Sequence, residues 1–375
     1  MNPEEAQHEA QLQVGAHHEF SCSDCGAKLE FTPGTVHLEC PYCGASHEIG
    51  DGDDREVEER SLHEALARIA TAPVSELTAG GSEIECRGCG AKTIVSGHAS
   101  ACPFCDSPLV TQIEGSSEAV VPESVLPFVV PERDAGEQFK QWVASRWFAP
   151  NDLALRASRA HMDGVYLPYY TYDADTWTQY RGERGTTYYV TETYRDSEGN
   201  TQTRQVQKIR WSSVSGSVRL FFDDVLICAS SSLPLELIEA LEPWDLGALL
   251  PFEPAFLSGF MAERAALSLE DGFGIAKQKM GPGIHSAICS DIGGDRQRIS
   301  VSHTDYQTPT FKLCLLPLWL SSFRYEGKVY RFIINARTGE ASGERPYSTI
   351  KIVLAVLGGV LVVSLLAFLW VRFSS

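Results

Sequence analysis

The sequence predicts an α+β protein in three parts: a cysteine-rich N-terminal head, a larger mixed body rich in antiparallel strands, and one apolar C-terminal helix. Three observations carry that reading. Eight of the 11 cysteines fall in four Cys-x-x-Cys pairs within the first 105 residues. From Val120 to about Pro346, blocks of β-branched and aromatic residues are segregated from blocks of helical periodicity, which points to α+β rather than to alternating βαβ units. From Ile352 to Val371 there are 20 residues without a charge.

The cysteine pairs group into two successive units. Cys22 and Cys25 precede Cys40 and Cys43 with 14 residues between the pairs, and Cys86 and Cys89 precede Cys102 and Cys105 with 12 between. Two intervening residues let one tight turn aim both sulfurs at a point, and two such turns complete a tetrahedron of thiolates about 2.3 Å from a Zn²⁺ ion. The chain is expected to hold two structural zinc ions, with all four ligands of each from protein and no position left for water or substrate. The sequence Cys-Gly-Ala-Lys recurs at Cys25 and Cys89, a period of 64 residues, and Pro41 and Pro103 stand inside the second turn of each unit. Glycine after the second cysteine takes positive φ at no steric cost, and proline pre-sets φ. Phe20, Leu29, Phe31 and Ile49, then Ile84, Ile94, Val95 and Leu109, read as strands of two small ribbons with too little core to fold without metal. Disulfides and a rubredoxin-like iron site are the alternatives for these spacings.

The domain reading follows in chain order: residues 1–16 a disordered acidic tail, 17–50 the first zinc ribbon, 51–79 an acidic linker and short helix, 80–114 the second ribbon, 115–346 the α+β domain, and 350–372 a transmembrane helix. In the linker, Ser61 is placed to cap a helix with Leu62, Ala65, Leu66 and Ile69 on one face, ended by Pro73. That helix reads either as a partner-docking element or as a spacer packed on a ribbon.

The body opens with Pro122, Pro127 and Pro131 and a helix through Phe139, Trp142, Val143 and Trp147, and a second helix follows Asn151-Asp152. Strands are expected at 165–172, 177–180, 186–194 and 202–211, the last two joined by a turn at 196–200, and again at 218–222 and 225–229. Residues 234–280 read as helical, interrupted by Pro251 and Pro254, and strands return at 311–323 and 329–334. The tyrosines from Tyr166 to Tyr194 recur at strand spacing, as cross-strand packing or one exposed binding edge requires.

A helix over the 20 uncharged residues would be about 30 Å long, the hydrocarbon thickness of a bilayer. Lys351 and Arg372 bracket it and Trp370 stands at an interfacial position. Arg331, Arg337, Arg345 and Lys351 lie just upstream against Arg372 downstream, so the positive-inside bias keeps the N-terminal parts in the cytoplasm of a single-pass, tail-anchored protein. The first 20 residues carry Glu4, Glu5, Glu9 and Glu19 and no apolar run of the signal-peptide kind. A reduced cytoplasm keeps the eight thiols free for metal.

The formal charge of −18 is uneven. Residues 1–120 hold 21 acids and 6 bases, and the remainder 28 acids and 25 bases. Zinc ribbons often meet nucleic acid, but phosphate binding needs a basic face, and only Lys28, Arg87 and Lys92 lie near these turns. Nucleic-acid binding is disfavoured on Coulomb grounds. Anionic headgroups would repel the ribbons too, so the head is expected to stand off the membrane and meet basic protein partners.

Catalytic sets are poor. There is no G-x-x-x-x-G-K-[ST] loop, no H-E-x-x-H and no G-x-S-x-G. Asp173/Asp175 and Asp223/Asp224 are candidate metal or catalytic pairs, with solvated strand-end acids as the plain alternative. His161, His285 and His303 are scattered, and Cys228, Cys289 and Cys314 sit in apolar contexts as small buried hydrophobes. The chain reads as a non-enzyme.

The segments CSDCGAKLEF…CPYCG, IECRGCGAKTIV…CPFCDSPLV, GVYLPYYTYDADT, RGERG, FDDVLICAS, LEPWDL, DIGGD and LPLWLSSFRYEGKVYRFIINARTGEASGERP, with the terminal span, resemble a bacterial family of membrane-anchored double zinc-ribbon proteins. Members are often labelled primosomal or helicase-like, and this sequence lacks the motor motifs such a label needs. The resemblance implies an adaptor at the bacterial inner membrane, associated with flotillin-like or phage-shock membrane-stress components. Membrane-associated nucleic-acid binding, and an enzyme with a site in residues 160–345, stand as the other readings.

Overall fold

The computed structural model describes residues 20–49, 57–71, 82–86, 89–95, 102–105, 112–114, 122–153, 162–195, 197 and 199–373. The expected acidic tail, most of the acidic linker, Leu109, His161 and nearly all of the helix after Asn151-Asp152 lie outside those residues. The first cysteine unit carries a three-stranded antiparallel sheet, β1 (Glu30–Phe31), β2 (His37–Glu39) and β3 (Ser46–Glu48). Then come β4 (Arg60–Ser61) and helix α1 (Leu62–Thr71). The second unit contributes β5 (Ser82–Glu85), β6 (Lys92–Val95) and β7 (Gln112–Glu114), with β5 antiparallel to both others. The body follows as β8 (Ser124–Val125), α2 (Glu132–Ala144), β9 (Asp163–Arg195), β10 (Thr201–Cys228), α3 (Leu235–Glu239), β11 (Leu250–Pro251), β12 (Met261–Glu263), α4 (Leu269–Ile292), β13 (Arg296–Tyr325), β14 (Lys328–Asn335), β15 (Ala341–Gly343) and α5 (Thr349–Phe373).

Three very long strands dominate. β9 pairs antiparallel with β10 on one side, from Cys228↔Tyr169 to Thr201↔Arg195, and with β13 on the other, from Leu320↔Asp163 to Arg296↔Gly185. The 33 residues of β9 give a contour of about 110 Å at roughly 3.3 Å each. The separate strands expected at 165–172, 177–180 and 186–194 are therefore one strand, which pairs with β10 out to Thr201↔Arg195. Gly182 falls between the strands expected at 177–180 and 186–194, yet it serves a close approach: a Cβ there would collide with the Arg298 carbonyl of β13.

Alternation along these strands sets the layers. Near the base of the ribbon, even-numbered residues of β9 face one way with odd-numbered residues of β13: Tyr166, Tyr170 and Tyr172 with Leu313, Leu315 and Trp319. Val165, Leu167 and Tyr169 face the other way with Leu316, Leu318 and Leu320. Both faces are covered, which is why Leu315-Leu316-Pro317-Leu318-Trp319-Leu320 reads as a continuous apolar run.

On the first face, α4 lies along the ribbon with Phe273, Ala276, Met280, Ile284, Ile288 and Ile292 buried, a stripe at helical spacing. Ser268 caps it, its hydroxyl accepting from the Asp271 N–H at 3.1 Å. Gly272 lets the Tyr172 hydroxyl pass through to donate to the Leu269 carbonyl at 2.8 Å, and a Cβ there would strike that hydroxyl. The helical block expected at 234–280 is shifted: α3 is five residues long, and α4 continues through Pro282 to Ile292.

α1 differs from its expected place. Ser61 Oγ accepts from the Glu64 N–H at 3.4 Å as a cap, but Leu62 and Ala65 pack with Tyr170, Tyr172 and Phe311 of the body rather than on a ribbon. Its apolar face is therefore already used.

Candidate metal centres

In each cysteine unit the chain turns identically. Gly26 N–H donates to the Cys22 carbonyl (2.8 Å) and Cys22 N–H to the Ala27 carbonyl (2.7 Å); Gly44 and Cys40, then Gly90 and Cys86, repeat the pattern with Ala45 and Ala91. Gly26, Gly44 and Gly90 take φ of +73°, +72° and +76°, the left-handed conformation the turn demands. These turns bring the four sulfurs of each set within 4.8 Å of one another. Cys22–Cys43 and Cys25–Cys40 separations are 3.6 and 3.4 Å; Cys86–Cys105 and Cys89–Cys102 are 3.5 and 3.7 Å.

Those distances discriminate. A disulfide needs about 2.05 Å. A tetrahedron with metal–sulfur bonds of about 2.3 Å has edges of roughly 3.8 Å, close to what all four separations show. The cysteines are free thiols arranged as two four-sulfur sets able to bind metal ions. Burial pushes the Cys89 thiol up to about 11 and raises Cys102 further, whereas His47 beside Cys22 draws that thiol down to about 6. Four thiolates this close coexist only around a cation, whose binding releases the thiol protons.

Both sets are built into the body. Leu29, Phe31 and Leu38 of the first share a core with Phe128, Phe256, Phe260 and Trp319. The Phe31 ring meets Phe256 and Phe260 edge-on at 5.4 and 6.0 Å, Phe31 N–H donates to the Ser258 carbonyl (3.0 Å), and Ser258 Oγ donates to the Leu29 carbonyl (2.6 Å). The second set packs on the opposite face: Cys86, Cys102, Phe104 and Cys105 join Leu126, Val165, Leu167, Leu318 and Ile333. Arg331 Nε donates to the Phe104 carbonyl at 2.9 Å and an Arg324 guanidinium nitrogen to the Cys105 carbonyl at 3.2 Å. β6 also pairs with β12, so the second unit's strands continue the body sheet. The two sulfur sets thus clamp one sheet from its two sides, and the core runs across the boundary expected between residues 114 and 115.

At the other end of the chain, Thr349–Trp370 is a helix long and apolar enough to cross a membrane, with mean hydropathy 3.0 and none of it buried.

Similarity to other proteins is narrow. The chain is 26% identical over 237 residues to "Uncharacterized protein YdjG" of Bacillus subtilis (strain 168). The match spans 62% of this chain and 66% of that protein, just under two thirds of its length. No protein-family model matches, and no solved structure matches significantly.

The acid pairs expected as alternative sites are split up. Asp173 is buried and accepts from the Asp224 N–H at 2.6 Å, where a bulge between Phe222 and Val225 forces Asp224 to φ +48°. Lys312 ion-pairs with Asp224 (2.9 Å) and with Glu59 (3.2 Å), and Thr310 donates to Glu59 (2.8 Å). Burial and the neighbouring Glu59 hold the Asp173 carboxyl up, while its hydrogen bond to Asp173 holds Glu59 down. Asp175 and Asp223 stay outside this network, whose members are satisfied by one another and tie the segment before α1 to β13. Sequence reading missed Glu59 and Lys312, and an isolated Lys-Leu-Cys in an apolar strand was the available signal.

A second buried carboxylate also escaped the sequence. Glu263 on β12 accepts from Ser230 (2.6 Å) and Ser232 (2.5 Å), and burial pushes it up to about 7. Of the remaining cysteines, Cys314 is buried as expected, whereas Cys228 is half-buried and Cys289 is half-buried with its sulfur 3.6 Å from His285 Nε2. His303 lies exposed, paired with Asp305 at 3.3 Å. Tyr166, Tyr169, Tyr170, Tyr172 and Tyr180 are core residues, and Tyr188, Tyr189 and Tyr194 are exposed on the outer hairpin.

Proposed function

We propose that this chain is a zinc-stabilised scaffold or adaptor, held at a bacterial inner membrane by residues 350–372 with its N-terminal parts in the cytoplasm, and that it recruits protein partners. In this reading the two four-cysteine units are zinc ribbons, each closing one Zn²⁺ with no open coordination position, so the metals stabilise rather than catalyse. The observation that carries the proposal is the pair of convergent four-sulfur sets packed on opposite faces of one sheet, where bound metal would act as a staple. The long outer hairpin with exposed Tyr188, Tyr189 and Tyr194 supplies a surface for partners. Flotillin-like or phage-shock proteins are the partners that family resemblance implies. The acidic charge of residues 1–120 weighs against nucleic acid, and the mutually satisfied Asp173–Asp224–Lys312–Glu59 network weighs against an enzyme site there.

In intact cells, a photo-crosslinking residue at Tyr194, read by mass spectrometry, is expected to give discrete protein adducts. Adducts to nucleic acid only, or no macromolecular adduct from any of the three exposed tyrosines, would overturn the adaptor reading. A reporter fused at the N-terminus and found outside the cytoplasm would overturn the orientation.

A further inference from the structure

The apolar helix does not hang from a free linker. Just before the helix, Ser348 N–H donates to the Phe148 carbonyl at 2.7 Å, and in its first turn Lys351 Nζ donates to the Ala149 carbonyl, also at 2.7 Å and 202 residues away in sequence. The loop after α2 is therefore pinned to the root of α5. That loop is itself rigidly carried: Phe139 and Val143 of α2 are buried, and the Phe139 and Trp142 rings lie 4.4 and 4.9 Å from Phe332 of β14.

On this fixed mount the chain exposes a cluster of large apolar and aromatic side chains. Trp147 is 81% exposed, Tyr347 60% and Ile350 72%, and Phe148 is exposed beside them. Cations surround the aromatics: the Arg146 guanidinium covers the Trp142 ring at 4.7 Å, Arg345 covers Tyr347 at 5.2 Å, and Lys351 is held between loop and helix. Amphipathic rings interleaved with lysine and arginine are the composition that partitions to the membrane–water boundary. Position supports the same partner. The hydrogen bonds fasten the loop to residues 348 and 351, and the uncharged run begins at Ile352, so the loop lies within about one helical turn, ~5 Å, of the hydrocarbon edge. The polar zone of a leaflet is roughly 5–8 Å thick, which leaves the loop in the headgroup layer.

We propose that Trp147, Phe148 and Tyr347 form a seat in the headgroup layer of the bilayer, so that the body rests on the membrane in one fixed attitude. The proposal depends on the membrane-anchor reading above and adds a second, peripheral contact to it. The sequence expectation that the acidic head stands off the lipid concerns the ribbons alone, and the α2–α5 corner adds a contact it did not include.

The test is tryptophan quenching in the full-length chain reconstituted into phosphatidylcholine vesicles brominated either near the headgroup or deep in the acyl chains. The difference spectrum between wild type and Trp147→Phe isolates one of the seven indoles, and Trp370→Phe isolates the one on the anchor. The Trp147 difference is expected to lose most of its intensity over shallow bromines and little over deep ones. A Tyr347→Trp variant is expected to gain the same shallow quenching, which keeps the test valid should the first substitution disturb the loop. If Trp370 is quenched while Trp147 and the introduced indole are not, the seat is refuted and the anchor stands. If none is quenched and the protein fails to float with the vesicles, the anchor reading falls and the seat with it.

Discussion

Phe104 stands inside the second turn of the second sulfur set and is fully buried among residues of the body sheet, with its carbonyl held by Arg331. Phe104→Ala leaves the four cysteines intact and removes a ring that is shared between the metal lobe and the sheet. Truncating a fully buried phenylalanine costs about 3–5 kcal/mol through lost transfer energy and the cavity left behind. For a body of this size, each kcal/mol lowers the midpoint by roughly 2–4 °C, so a fall of about 6–20 °C is expected. Detergent-solubilised full-length protein, followed by calorimetry and by strand circular dichroism, reports it directly. The two signals should move together, and a chelator should shift them in the same direction in wild type. If strand ellipticity keeps its midpoint within about 2 °C while a separate small heat-absorption peak collapses, the lobe and the sheet are energetically independent and the shared-core argument is wrong.

Three further outcomes follow from named contacts. Cys102→Ser should reduce bound metal from two ions to one per chain by elemental analysis of the purified protein; two ions retained would refute the assignment of Cys102 as a ligand. Gly272→Ala should destabilise the protein by about 1–3 kcal/mol in urea unfolding, because the new methyl meets the Tyr172 hydroxyl, and a neutral result would show that the ring has room to move. Glu263 binds a proton in the folded state up to about pH 7 but only up to about 4.5 when unfolded, so its contribution is full below about pH 4.5 and is lost as pH rises through 7. Wild type should therefore lose up to about 1.4 kcal/mol per pH unit across that window relative to Glu263→Gln. Parallel urea midpoints for the two proteins at pH 5 and 7.5 would contradict the raised carboxyl.

The sulfur sets were legible because a Cys-x-x-Cys turn is a local object: its geometry needs only the neighbours Gly26, Gly44 and Gly90, and no distant residue. The apolar helix was legible for the same reason. What joined the parts was not. Phe31 meets Phe256 and Phe260, and Arg331 meets Phe104, across more than two hundred residues. Nothing in local spacing marks which face of a two-sided sheet such residues will cover. Strand length was misjudged where punctuation residues serve packing. Gly182 admits a carbonyl, and Pro309 sits at the bulge between Gln307 and Thr310, where a missing N–H costs no ladder bond. The helical block expected at 234–280 stops just before Gly281-Pro282-Gly283, yet the buried stripe of Met280, Ile284, Ile288 and Ile292 carries α4 past it. The largely polar stretch 296–310 offers few apolar positions, and it is a strand because β9 pairs along most of it while Ile299 and Tyr306 pack on the core beside α4.

Past Gly185 the ribbon thins from three strands to two, and its last ten β9 residues are flanked by β10 alone. Glu192 with Lys208 at 3.0 Å, Arg204 over Tyr194 and Arg210 over Tyr188 hold it across strands, but they are solvent-facing ties. A two-stranded hairpin is marginal by itself in water. The same continuous strand therefore spans nearly the whole range of local rigidity, from a base locked between the two lobes to a tip that opens easily. Amide exchange should grade along it, fastest near Arg195 and slowest near Leu167, and an endoprotease should nick the hairpin near its tip while the base remains intact.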